Sequence, residues 1–338
     1  MHTPLNRRYL VGLAFSLSVT SAFADGWDPI SKAGAMNSIA DTRHNMTISY
    51  SSGGHVMDGF RNDYGAVCVY CHTPHGANSQ IQAPLWNRTI NNGGYVIYDK
   101  PTTLMRPVDQ PGPTSLTCLS CHDGTIAIDS VLNMPFAGRS PDNSGASNNE
   151  LGNSNMAFLD RWAANPAGLG TAGNHLALGF EFGGNPGPGP STPGCAHCHD
   201  GSPNGFTVPV PDFRAFMLGT DLRNDHPVGI TFPDTYTPAT DFNEPSVKLA
   251  GKMAFFDTNG NSYADKNEVR LYDSGSGYKV ECASCHDPHG VESGGLGTNT
   301  RFSPSFLRIN NGIAGNHAGA VGIVSHGASA LCLTCHTK

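Results

Sequence analysis

Five copies of Cys-x-x-Cys-His constrain this 338-residue chain more than any other feature. They are Cys68-Val69-Tyr70-Cys71-His72, Cys118-Leu119-Ser120-Cys121-His122, Cys195-Ala196-His197-Cys198-His199, Cys282-Ala283-Ser284-Cys285-His286 and Cys332-Leu333-Thr334-Cys335-His336, and they consume all ten cysteines. Two thiols three positions apart can add across the two vinyl groups of one haem while the next imidazole reaches its iron, so the motif reads as c-type haem attachment. A zinc half-site or a redox dithiol needs only the cysteines, and neither explains a histidine after every second one. The expected cofactors are five haem c, held covalently by the ten cysteines and ligated proximally by His72, His122, His199, His286 and His336.

Four of the motifs form two matched pairs. Their first cysteines stand 50 residues apart in both copies (68 to 118 and 282 to 332), and the leading motif of each runs into Thr73-Pro74-His75-Gly76 or Asp287-Pro288-His289-Gly290. Self-similarity at a fixed period marks a repeated structural unit. The chain therefore divides into a signal peptide (1–24), an N-terminal arm (25–67), a first doubled haem module (68–135), a linker with the third haem site (136–250), a hairpin (251–281) and a second doubled module (282–338). Residues 136–194 are rich in Gly, Asn, Ser and Pro and read as a long connection.

Gly and Pro number 41 and 24, and only 38% of residues are hydrophobic, which is thin for a conventional core of this length. The expected fold is mostly irregular and haem-cored, with loops, short helices and a few β-hairpins around a chain of five stacked haems. Arg7 and Arg8, the apolar run from Tyr9 to Val19 and Ala22-Phe23-Ala24 describe a cleaved export signal, with a mature start at Asp25. No stretch offers the roughly 20 apolar residues of a membrane span. A net charge of −7 argues against nucleic acid as a partner.

A haem iron held by one histidine needs a second axial ligand to be a low-spin electron carrier, whereas an open position points to catalysis or gas binding. Apart from His2 and the motif residues, the histidines are His44, His55, His75, His175, His197, His226, His289, His317 and His326, more than five irons require. His75 and His289 hold matched places three residues after a proximal histidine, too close to turn back to the same iron. Each is expected to reach the other haem of its own pair. His226 precedes Pro227, which favours an extended backbone and a defined imidazole direction. His197 lies inside a haem loop and is not an expected ligand.

Residues 252–272 read as a hairpin, Lys252 to Phe256 against Val269 to Tyr272. Its loop places Asp257, Asn259, Asn261, Asp265 and Glu268 at positions 1, 3, 5, 9 and 12 of a calcium-loop pattern, with Ser262 where that pattern has Gly. An Asn259-Gly260 turn accounts for the same residues without an ion.

The ordered stretches CVYCHTPHGA, PLWNR, CLSCHDGTIAIDSV, NDHPVGI, EVRLY, VECASCHDPHG and LCLTCH resemble the exported multihaem cytochromes of metal-reducing bacteria that carry doubled C-x-x-C-H modules, and most of all the tetrahaem nanowire-forming cytochromes. The resemblance covers most of the chain after the signal. It implies haems with two histidine ligands stacked in a continuous chain, and subunits joined head to tail into filaments. It further implies that His44 ligates a haem of the neighbouring subunit, and that His75, His226 and His289 are distal ligands within the subunit. The insertion bearing Cys195, Cys198 and His199 departs from the four-haem pattern, and its distal ligand lies among His175, which travels with the insertion, His317 and His326. The implied role is electron transfer rather than catalysis, toward redox partner proteins or extracellular acceptors, at the cell surface or beyond it. A discrete periplasmic or secreted shuttle is the alternative. A multihaem reductase of small nitrogen or sulfur oxyanions would need an iron with an open position.

Overall fold

The computed structural model describes residues 39, 42, 44–46, 66–91, 93–99, 106–133, 178, 216–224, 226–236, 240–273, 275–291, 304–309 and 329–337. The export signal, most of the arm and the whole third haem site (Cys195, Cys198, His199) lie outside them, as do His55, His175, His197, His317 and His326.

The described chain is largely irregular, as its Gly and Pro content leads one to expect. Its helices are α1 (Pro113–His122), α2 (Cys282–Cys285) and α3 (Ala330–Cys335), with 3₁₀ turns at Val67–Tyr70 and Pro304–Phe306. The strands β1 (Ile230–Thr231), β2 (Val247–Leu249), β3 (Met253–Phe255), β4 (Arg270–Asp273) and β5 (Tyr278–Val280) join into one antiparallel sheet of order β1-β5-β4-β3-β2, a larger unit than separate hairpins. β3 and β4 form the anticipated hairpin, with Met253 opposite Tyr272 and Phe255 opposite Arg270. Gly251, at φ 69°, turns the chain between β2 and β3, where a side chain would strain the left-handed backbone.

A conventional core exists beside the Cys-x-x-Cys-His turns. Phe232, Ala254, Phe256, Val269, Leu271 and Val280 bury one sheet face, and Leu331 and Cys335 of α3 pack on it. A second cluster of Tyr95, Leu119 and Leu222 seats α1. Both clusters include a helix that carries a motif, so burial of ordinary apolar side chains fixes where those turns lie. Among the described residues no helix is long and apolar enough to cross a membrane.

Buried charge ties the two modules internally and to each other. Arg88 is 0% exposed, and its guanidinium donates to the carbonyls of Ser120, Ala127, Ile128 and Ser130 and to Ser120 Oγ. It thereby clamps the end of α1 to the loop after it. Glu281, directly before Cys282, accepts from the backbone N–H of Gly112 and from Ser115 Oγ at the start of α1, where a carboxylate also complements the helix dipole. Its side chain lies where a Cβ on Gly112 would be, so only glycine fits there.

The loop 257–268 closes on its own hydrogen bonds. Asp257 accepts from the N–H groups of Asn259, Gly260 and Ser262, Glu268 accepts from Thr258 and Asp265, and both Asn259 and Asn261 turn their amide NH₂ toward Asp265 Oδ2 at 2.7 and 2.8 Å. Ser262 takes the left-handed backbone, φ 63°, at the place where a calcium loop has Gly. These bonds account for the loop as a turn. Adding calcium to desalted protein should therefore leave its thermal midpoint unchanged; a rise that disappears in Glu268→Gln would establish an ion there.

Arg88→Met should lower the unfolding free energy by at least about 3 kcal/mol, because several buried carbonyls lose their donor at once. Denaturant unfolding of the haem-loaded protein, compared with Arg88→Lys, measures this.

Candidate functional site

Each described Cys-x-x-Cys occupies about one helical turn. Cys68 and Cys71, Cys118 and Cys121, Cys282 and Cys285, and Cys332 and Cys335 each fall three positions apart on or beside Val67–Tyr70, α1, α2 and α3, which sets the paired sulfurs on one side. At three of the turns the histidine that follows closes the turn through its own N–H, to Cys68 O at 2.8 Å, Cys282 O at 3.1 Å and Cys332 O at 2.9 Å. His286 and His336 have already left helical geometry, at ψ 143° in both. None of the eight described cysteines is in a disulfide. Burial pushes Cys71 and Cys335 up to about 12 and Cys285 up to about 11, which keeps them as thiols rather than the thiolates of a reactive dithiol.

Three of these turns are braced by distant segments in the same way. Leu85 O accepts from Thr73 N and Asn87 N donates to Cys71 O; Asp241 O accepts from Thr337 N and Asn243 N donates to Cys335 O; Phe306 O accepts from Asp287 N and Arg308 N donates to Cys285 O. Leu85, Asp241 and Phe306 all take positive φ, 52°, 58° and 59°. The next side chain but one then reaches the carbonyl after the first cysteine: Asn87 to Val69 at 2.7 Å, Asn243 to Leu333 at 2.9 Å and Arg308 to Ala283 at 2.9 Å. The segment 83–88 supplies this brace, and 240–243 and 305–308 repeat it. The only sequence trace of it is the pair Trp86-Asn87 and Phe242-Asn243, too short to be found as a repeat.

The braces also orient the imidazoles. His72 Nδ1 donates to Pro84 O at 2.8 Å, His286 Nδ1 to Ser305 O at 2.6 Å and His122 Nδ1 to Phe216 O at 2.6 Å. A carbonyl can only accept, so Nδ1 carries the proton and Nε2 keeps its lone pair for a metal. Desolvation lowers His122 and His286 below the ordinary histidine value, which favours that neutral form.

The candidate distal histidines fall in different places. His289 Nδ1 bonds Asp287 Oδ1 at 3.0 Å, and Asp287 is held in turn by Arg308 at 3.2 Å. Burial opposes ionisation of Asp287, yet the hydrogen bond from His289 and the Arg308 charge bring it to about 2. The His289 ring lies 6.4 Å from that of His72, with planes 10° apart. It thus meets the first motif of the other module, not the second motif of its own as the spacing had implied. α2, which precedes the 287–290 stretch, packs against α1 of the first module. His44, expected to serve a neighbouring subunit, sits in its own chain, 6.2 Å and 80° from His122, stacked at 4.5 Å on Phe306 and bonded through Nδ1 to Pro288 O at 2.9 Å. Desolvation holds His44 down to about 4, hence neutral. His226 lies near His336, with its Nδ1 toward Pro227 O at 3.1 Å. His75 is exposed.

These residues fit haem on three counts. Imidazoles whose Nδ1 is engaged meet in twos, which suits an iron already held by four porphyrin nitrogens, and among the described residues no three His, Cys, Asp or Glu side chains converge as a metal cage of their own. The buried indole N–H of Trp86, 5.9 Å from the His72 ring, has no hydrogen-bond partner among the described residues, as a donor facing a propionate would. The described motifs also adjoin: Cys71 lies near Cys121, Cys118 near Cys282, and Cys285 near Cys335. No known family model matches this chain, and no curated protein is significantly similar to it.

Asn87→Ala should cost about 1–2 kcal/mol by leaving partly buried carbonyls without their donor, and Asn243→Ala less, because its partner Leu333 O is exposed to water. Denaturant midpoints of the haem-loaded proteins, followed in the haem absorption band, give the values.

Proposed function

We propose that this chain is a five-haem c-type cytochrome that carries electrons along a row of haems outside the cytoplasm. What supports the row is the adjacency of the four described motifs, 68/71 to 118/121 to 282/285 to 332/335, through the α1 and α2 contact. The cysteines would hold the porphyrins, and His72, His122, His199, His286 and His336 would be proximal ligands. His44, His75, His175, His226 and His289 are the distal set, which makes a carrier rather than a reductase with an open iron. Bound haem supplies one-electron redox chemistry; the protein fixes its position and axial field.

Cys68 and Cys332, at the two ends of the row, are the exposed members of the described cysteines, while those between are half-buried. A row that reaches the surface at both ends can take electrons at one and deliver them at the other. The same arrangement fits end-to-end contact between copies, a heterologous contact that propagates without closing, so the filament is the assembly we propose, with extracellular acceptors or redox proteins as its partners. A discrete shuttle is favoured by the in-chain seat of His44, which removes the need for a neighbour's ligand.

Haem extraction assays and intact mass should give five covalent haems per chain, and the oxidised protein should be low-spin at every iron. A persistent high-spin ferric signal overturns the carrier reading in favour of the reductase. Electron microscopy of the purified protein separates the assemblies, with filaments expected and isolated particles assigning the shuttle.

A further inference from the structure

The tetrapeptide Asp287-Pro288-His289-Gly290 belongs by sequence to the second module, yet its polar groups face histidines that lie outside that module. His289 stands 6.4 Å from His72, with ring planes 10° apart, and the carbonyl immediately before it, Pro288 O, holds His44 Nδ1 at 2.9 Å, 6.2 Å from His122 at 80°. Two metal–nitrogen bonds of about 2 Å, together with the distance from each nitrogen to its ring centre, separate the centroids of two imidazoles on one iron by about 6 Å. Both pairs have that span. In all four rings Nδ1 is engaged by a protein acceptor, Pro84 O, Phe216 O, Pro288 O or Asp287 Oδ1, which leaves Nε2 as the free nitrogen in each.

We propose that His289 closes the iron on His72 and that His44, oriented by Pro288 O, closes the iron on His122 within the same chain, so that one turn of the second module completes both haem sites of the first. This rests on the haem reading above and gives His289 and His44 irons that neither the spacing nor the resemblance gave them. Asp287 is a positioning residue: anchored by Arg308 Nη1 at 3.2 Å, it fixes the His289 ring through Nδ1. Phe306, stacked on His44 at 4.5 Å, does the same for the other ring from the brace of the second module. The two modules are thereby joined by metal bonds as well as by Glu281 on α1.

The ring angles predict distinct spectra. Nearly parallel imidazoles on a ferric iron give an ordinary rhombic low-spin signal, and nearly perpendicular ones a strongly anisotropic signal. In the five-haem protein, His289→Ala should convert one rhombic signal to high-spin, His44→Ala should convert one strongly anisotropic signal to high-spin, and added imidazole should restore low spin in both. In a Cys68→Ala/Cys71→Ala protein, which lacks the first haem, His289→Ala should produce no further high-spin iron; in Cys118→Ala/Cys121→Ala the same should hold for His44→Ala. A new high-spin iron in either background overturns the corresponding pairing. As a check free of substitutions, wild-type protein diluted to single chains should stay low-spin throughout, and a high-spin iron appearing on dilution would mean that a ligand comes from a neighbour. A haem count below five in the wild type would instead count against the haem reading itself, separately from the pairing.

Discussion

The hydrogen bond from a motif histidine to a backbone carbonyl far away in the chain is the interaction on which the rest of this structure depends. A Cys-x-x-Cys turn is only four residues long and carries almost no apolar surface of its own, so it cannot hold an imbedded imidazole in a fixed direction unaided. Pro84, Phe216 and Ser305 supply that direction from outside. Each bond also selects the tautomer with a bare Nε2, so the same contact that builds the fold prepares the metal ligand. Positive φ at Leu85, Asp241 and Phe306 is the local strain accepted for it: a left-handed residue bends the bracing segment so that its carbonyl on one side and its N–H on the other both meet the turn.

Given those braces, the remaining elements act as spacers of the motif turns. The small sheet packs α3 through Leu331 and Cys335, and the Tyr95, Leu119 and Leu222 cluster seats α1. The contact with the first module is polar and buried, Glu281 reaching the start of α1, while Arg308 ties Ala283 and Asp287 of the second module to Lys266 of the hairpin. Such groups are costly to bury unless every donor has an acceptor, and here they specify one arrangement of the modules rather than many. For the electron-transfer role we propose, the consequence would be a fixed spacing of the four described motifs.

The in-chain seat of His44 separates two properties that the resemblance had joined. If a neighbour supplied this ligand, assembly and completion of a haem site would be a single event. Held by Pro288 O and Phe306 of its own chain, His44 would, on the pairing proposed above, complete its site by folding. Association of copies would then be a separate equilibrium, governed by surface complementarity rather than by an axial bond.

Local chemistry was legible in the sequence because it is set by neighbours along the chain. The Cys-x-x-Cys-His spacing marks four turns that each fold as about one helical turn, the Gly and Pro content anticipates a largely irregular chain, and the 252–272 pattern marks the β3–β4 hairpin to within a residue or so. What only the tertiary structure decided is which distant groups meet. His289 is three residues from His286 yet pairs with His72, His44 is placed by Pro288, and the segments 84–87, 240–243 and 305–308 perform one task with almost no residues in common. Backbone carbonyls and N–H groups do that work, and every residue but proline carries both. Side-chain letters therefore leave no record of it, and only the packing of α1 against α2 and of the sheet against α3 brings those backbone groups into reach.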